Sequence, residues 1–119
     1  MCCLKSLRIL ELQFWETKIS DDGFIPFIRG VAEYKGLSEL ILGLGDTKIS
    51  NSSIEEINSV IAKFKSVYKY DLDFQNTNIT KCCLSGILSS AAYIKHLKLS
   101  FGGTKVDDYS FKEFCSSGI

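Results

Sequence analysis

The residues Leu7-Arg8-Ile9-Leu10-Glu11-Leu12-Gln13-Phe14-Trp15-Glu16-Thr17-Lys18-Ile19-Ser20 decide the fold, because the chain writes them again. The tetrad Thr17-Lys18-Ile19-Ser20 returns as Thr47-Lys48-Ile49-Ser50, as Thr77-Asn78-Ile79-Thr80 and as Thr104-Lys105-Val106-Asp107, at intervals of 30, 30 and 27 residues. The apolar positions ahead of it return as well. Leu7, Leu10, Leu12 and Phe14 become Leu37, Leu40, Leu42 and Leu44, then Val67, Tyr70, Leu72 and Phe74, then Ile94, Leu97, Leu99 and Phe101. Self-similarity at this period is the signature of a repeat architecture, in which each unit buries its apolar face against its neighbours.

Each copy has two halves with different periods. Leu10, Leu12 and Phe14 alternate with Glu11, Gln13 and Trp15, so the first half is a strand with one buried face. In the second half, Phe24, Phe27, Ile28, Val31 and Tyr34 follow helical spacing, as do Ile54, Ile57, Ile61 and Phe64, and Leu84, Ile87, Leu88 and Ala91. Ser20-Asp21-Asp22 and Ser50-Asn51-Ser52-Ser53 are expected to cap these helices with side-chain oxygens, and Ser53 with Glu56 has the spacing of a capping box. Pro26, the single proline, is expected in the first turn, where a missing N–H costs least.

A strand, a loop and a helix repeated in one register predict parallel strands stacked beside one another, with the helices on one side. The repeats are approximately 7–36, 37–66, 67–93 and 94–119, and 1–6 is the tail of a preceding copy. The segment Leu4-Lys5-Ser6-Leu7 aligns with the helix end Phe64-Lys65-Ser66-Val67, and the last copy stops soon after Phe111 and Phe114. The expectation is a fragment of a longer array.

This pattern resembles the leucine-rich repeat in its ribonuclease-inhibitor-like form, L-x-x-L-x-L-x-x-N-x-L followed by a helix. Leu7, Leu10 and Leu12 match the opening leucines, Thr17 stands where the family prefers Asn, and Ile19 where it has Leu. Two extra residues before Thr17 give the strand a third inward position, Phe14. The resemblance implies an α/β, right-handed leucine-rich-repeat solenoid of about four strand–turn–helix repeats, with its parallel sheet concave and its helices convex. The family's Asn bonds backbone groups between neighbouring turns, and a Thr hydroxyl is expected to do part of that.

Composition narrows the function. Hydrophobic residues make up 45% and charged residues 24%, which is ordinary for a folded domain and unlike a disordered chain. Fourteen basic side chains balance fourteen acidic ones, against nucleic-acid binding by bulk charge. No apolar run approaches membrane-spanning length, and the start lacks the basic and apolar regions of a signal peptide. The five cysteines, Cys2, Cys3, Cys82, Cys83 and Cys115, lack zinc-ribbon spacing and are expected to be reduced packing thiols, so a cytoplasmic location is expected.

No reaction chemistry survives inspection. His96 falls on the outward strand face without a nucleophile arranged beside it. Asp71-x-Asp73 would need Gly at Asn76 and Glu at Cys82 to form a calcium loop. Gly43-Leu44-Gly45 and Gly102-Gly103 lack phosphate-loop spacing and are expected to ease the bend after a strand. No enzyme, cofactor or metal is therefore expected.

Binding is the better prospect. Outward positions form columns: Ile9, Glu39, Lys69, His96; then Glu11, Ile41, Asp71, Lys98; then Gln13, Gly43, Asp73, Ser100; then Trp15, Gly45, Gln75, Gly102. This mixed face suits a protein partner better than a phosphate backbone, and Trp15 on it is the residue type that anchors interfaces. The expected protein-binding set on the concave face is Glu11, Gln13, Trp15, Ile41, Asp71, Asp73, Gln75 and Lys98, with no nucleic-acid or membrane partner. End-to-end contacts through uncapped repeats would make the chain a structural assembly component. The resemblance also allows a regulatory segment of a GTPase activator or a ubiquitin-ligase substrate receptor.

Overall fold

The computed structural model describes residues 6–80, 86–87 and 94–106. The chain runs β1 (Ile9–Gln13), α1 (Asp21–Val31), β2 (Glu39–Gly43), α2 (Asn51–Ile61), β3 (Lys69–Asp73) and β4 (His96–Ser100). The four strands form one parallel sheet in chain order. Register follows the repeat: Ile9, Glu39, Lys69 and His96 lie side by side, as do Glu11, Ile41, Asp71 and Lys98. The expected helices of the third and fourth copies and all five cysteines fall outside the described residues, apart from Gly86 and the buried Ile87.

Alternation determines which side of the sheet meets the helices. Leu40, Leu42 and Leu44 of the second copy and Tyr70, Leu72 and Phe74 of the third are at most 1% exposed. Against them pack Phe24, Ile28 and Val31 of α1 and Ile54, Ile57, Val60 and Ile61 of α2. Burial fades toward both edges. Leu10 and Leu12 in β1 are partly buried, and Leu97 in β4 is 38% exposed. A strand with a neighbour on only one side lacks half of its cover, so position in the stack matters as much as residue type.

The strand-to-loop turn is the same in every copy. Glu16, Asp46, Asn76 and Gly103 all have positive φ, between 56° and 71°. Asp, Asn and Gly tolerate this region, whereas Glu lacks the short polar side chain that eases it. Glu16→Asn is therefore expected to raise stability by about 0.5 kcal/mol in urea denaturation. The residue after each such turn is the repeated threonine. Its hydroxyl donates to the carbonyl three residues back, from Thr17 to Phe14 (2.8 Å), Thr47 to Leu44 (2.7 Å), Thr77 to Phe74 (2.7 Å) and Thr104 to Phe101 (2.6 Å). These bonds close a turn inside one copy, which corrects the expectation of a bond between copies.

A side-chain link between copies lies four residues further on. Ser50 donates its N–H and its hydroxyl to the Asp21 carboxylate, and the Ser53 hydroxyl donates there too. One copy later, the Thr80 N–H donates to Asn51 Oδ1 (3.0 Å) and Asn51 Nδ2 donates to Thr80 Oγ1 (2.8 Å). Asp21 and Asn51, the first residues of α1 and α2, thus each hold the chain one copy further on, at Ser50 and Thr80. Burial alone would raise the Asp21 pKa, but the hydrogen bonds from Ser50 and Ser53 outweigh it and hold the carboxyl below its ordinary value.

A depressed folded-state pKa gives stability that is present above the ordinary carboxylate range and lost as pH falls through the folded value. Asp21→Ala is expected to cost about 1 kcal/mol, at the low end for a charged hydrogen bond because the carboxylate is partly solvated. Asp21→Asn should keep part of the link and flatten the acid limb of a plot of melting temperature against pH.

Two helix expectations are corrected. Ser20 and Ser50 occupy the N-cap positions, but neither makes a side-chain capping bond. Ser53 lies inside α2, three residues past the cap, and its hydroxyl is committed to Asp21, so no capping box forms with Glu56. Glu56 instead meets Arg29 of α1 through two contacts of 3.1 Å, which tie the helices together across the repeat. The Arg29 hydrogen bond pulls the Glu56 pKa down against an opposing effect of burial. Pro26 is the sixth residue of α1, beyond its first turn, so that helix lacks one internal hydrogen bond.

Candidate functional site

The sheet face opposite the helices carries every outward residue singled out in the sequence. Glu11, Ile41, Asp71 and Lys98 line one column across the four strands, and Gln13, Gly43, Asp73 and Ser100 the next. Glu11, Gln13 and Lys98 are exposed, while Ile41, Asp71, Asp73 and Gln75 are half-buried. Asp73 is held in place by its own loop, where Oδ1 accepts from the Gln75 N–H at 3.1 Å. The two aspartates sit on neighbouring positions of one face, and no cluster of three or more metal-ligating side chains occurs among the described residues.

Trp15 is the one large aromatic of this expected set, and its support was not readable from its own copy. Its indole lies across the loop of the second copy. A Cβ at Gly45 would stand 3.1 Å from three of its ring atoms, and one at Gly43 would meet the indole nitrogen and the end of the Gln13 side chain. Both glycines are buried under these side chains, although they belong to the outward columns. Their expected role in easing a bend is thus corrected: they leave a flat bed for a neighbour's ring. Trp15 remains 39% exposed on that bed, so it is both held and accessible.

A second cluster lies at the opposite corner of the face. Lys69 approaches Glu39 at 3.8 Å across the β2–β3 pair, and the Tyr68 hydroxyl donates to Glu39 Oε2 at 2.9 Å. That hydrogen bond raises the Tyr68 pKa, with the Glu39 charge acting in the same direction. The Tyr68 ring meets His96 edge-on, with centroids 6.1 Å apart. Tyr68 was missed in the sequence because it precedes the strand. The signal was an aromatic aligned with Arg8, Ser38 and Lys95. Beside this cluster, Lys69, Asp71, Lys95, His96 and Lys98 line an open hollow of about 500 Å³, with Tyr70 and Leu97.

The face carries Glu11 and Trp15 at its β1 edge and Lys98 at its β4 edge, with Arg8 and Lys95 at corresponding positions ahead of the two strands. Such an arrangement can recognise an extended surface of mixed character. No helix among the described residues is long and apolar enough to cross a membrane.

No protein-family model matches the sequence, and no curated protein matches it significantly. Among solved structures, the chain is similar to leiomodin-1 actin-binding site 2, with a TM-score of 0.67 at 14% sequence identity. The match covers 89% of this chain and 61% of that one, so the chain spans under two thirds of the similar structure. At this identity the likeness is one of fold: a parallel sheet with helices on one side, of the leucine-rich-repeat type.

Proposed function

We propose that the chain is a protein–protein interaction or scaffold module, a segment of a longer intracellular leucine-rich-repeat array of the ribonuclease-inhibitor-like subtype. It acts by binding rather than by catalysis. The open sheet face is the concave side of the solenoid, and its partner is a protein held by Glu11, Gln13, Trp15, Ile41, Asp71, Asp73, Gln75 and Lys98. The observation that carries this reading is the Trp15 indole, set on Gly45 and left 39% exposed. A rigid, half-exposed aromatic gives large contact area at low entropic cost, which is why such residues anchor interfaces. The similar solved structure is titled as an actin-binding site, which supports a protein as the class of partner.

The test is capture of a partner by the chain and by the double variant Trp15→Ala, Asp73→Lys, with the affinity of each measured by calorimetry. An anchor of this type predicts a loss of about thirtyfold or more. Unchanged affinity, with folding verified by circular dichroism, would remove the concave face from the interaction.

A further inference from the structure

The open sheet face holds a basic hollow across β3 and β4, and we infer that it takes an acidic segment of a partner protein, bound in extended form with carboxylates at alternate positions. The inference deepens the protein-binding reading and rests on it, but it concerns a different part of the face from Trp15. The hollow has a volume of about 500 Å³. Three lysines, Lys69, Lys95 and Lys98, line it together with His96, and Asp71 is the one carboxylate in its lining. Alternation along the paired strands sets Lys69 beside His96 and Asp71 beside Lys98 on the side away from the helices. These side chains belong to the third and fourth copies. Copies of a repeat array add beside the strands and not over their open face, so the hollow stays open in an array of any length.

The charges of the hollow are uncommitted. Among the described residues Lys95, His96 and Lys98 are exposed and enter no ion pair. The nearby carboxylate that would otherwise oppose an acidic ligand is already engaged: Glu39 accepts the Tyr68 hydroxyl at 2.9 Å and meets the Lys69 ammonium at 3.8 Å. The Tyr68 ring also stands edge-on to His96, with centroids 6.1 Å apart, and closes that side of the cluster. The spacing of the cations selects the ligand. His96 and Lys98 are two residues apart on one strand face, about 6.6 Å at roughly 3.3 Å per residue. Alternate side chains of an extended peptide repeat at that same distance, whereas a single compact anion is too small to meet both. Charge complementarity of this kind fixes register and speeds encounter.

The test is titration of the chain with a synthetic peptide of alternating glutamate and serine, against its glutamine counterpart, at low salt. NMR of the His96 ring, the only imidazole in the chain, reports occupancy. The glutamate peptide is expected to shift the His96 signals saturably and the glutamine peptide to leave them in place. Lys95→Glu and Lys98→Glu should each weaken binding by about fivefold, since both side chains are exposed and their contacts are screened. Glu39→Gln keeps an acceptor for Tyr68 but removes a negative charge, and should tighten binding about twofold. Lys63→Glu makes the same change of net charge just past α2 and should have no effect. Trp15→Ala should bind the peptide as the parent chain does. Failure of the peptide to bind would therefore overturn the hollow and leave the Trp15 anchor standing, and a partner indifferent to Trp15 would do the reverse. Equal binding of the two peptides, equal losses from Lys63→Glu and Lys95→Glu, or displacement by equimolar inorganic phosphate would also overturn the inference.

Discussion

Leu40→Ala is expected to cost about 3–5 kcal/mol, a large share of the chain's stability. Leu40 is 0% exposed in β2, flanked by Leu10 and Tyr70 in register and covered by the helix layer. Truncation there loses the transfer free energy of the side chain and leaves a cavity that rigid neighbours on both sides cannot fill. A domain of this size has only about 5–15 kcal/mol to lose. The informative comparison is along the same column. Leu97→Ala removes an identical group from a site that is 38% exposed and flanked on one side, and should cost about 1 kcal/mol or less. Urea denaturation followed by far-ultraviolet circular dichroism measures both. Equal losses at the two positions would contradict the graded burial from centre to edge.

The same column holds the second large effect, in the opposite direction. Tyr70→Phe is expected to stabilise the chain by about 1–2 kcal/mol. The Tyr70 side chain is fully buried, and its hydroxyl has no hydrogen-bond partner among the described residues. A buried polar group without a partner carries its desolvation penalty uncompensated, and phenylalanine keeps the ring while removing that penalty. Burial also raises the Tyr70 pKa well above that of a free phenol. A folded-state pKa raised above the unfolded one gives stability that is full below the unfolded value and is lost as pH rises toward the folded one. Stability should therefore fall above pH of about 10, and Tyr70→Phe should remove this part of the alkaline loss. A destabilised Tyr70→Phe variant would mean that the hydroxyl has a partner.

Direction was legible in the sequence and choice of contact was not. The alternation of Leu10, Glu11, Leu12 and Gln13 says which way each side chain points, and the interval between copies says which residues stand in register. Both follow from backbone geometry, which is the same in every copy. Where the Trp15 ring comes to rest depends on atoms about thirty residues away, and only the absence of side chains at Gly43 and Gly45 lets it lie flat. The link from Asp21 to Ser50 escaped notice for a similar reason. Read locally, Asp21 is a helix-start residue, and its nearest donors belong to the next copy. The capping box at Ser53 failed because the helix begins two residues earlier, at Asn51, so an apt local motif sat inside the helix. Trp15, one of the expected binding residues, gained a structural reason for its placement, whereas Tyr68, not among them, entered only through its bond to Glu39.

The order of the strands has a mechanical consequence. They lie side by side in the order of the chain, so β1 and β4 are at opposite edges. A pull that separates those edges acts across the strands, along the hydrogen bonds, and opens one ladder at a time. Each copy contacts only its neighbours, so detachment of one strand does not require the next to yield. Such a molecule should lengthen stepwise under tension at low force, in increments set by one repeat. It would behave as an extensible spring rather than as a clamp, with the Asp21–Ser50 and Asn51–Thr80 links as the stitches that part with each step.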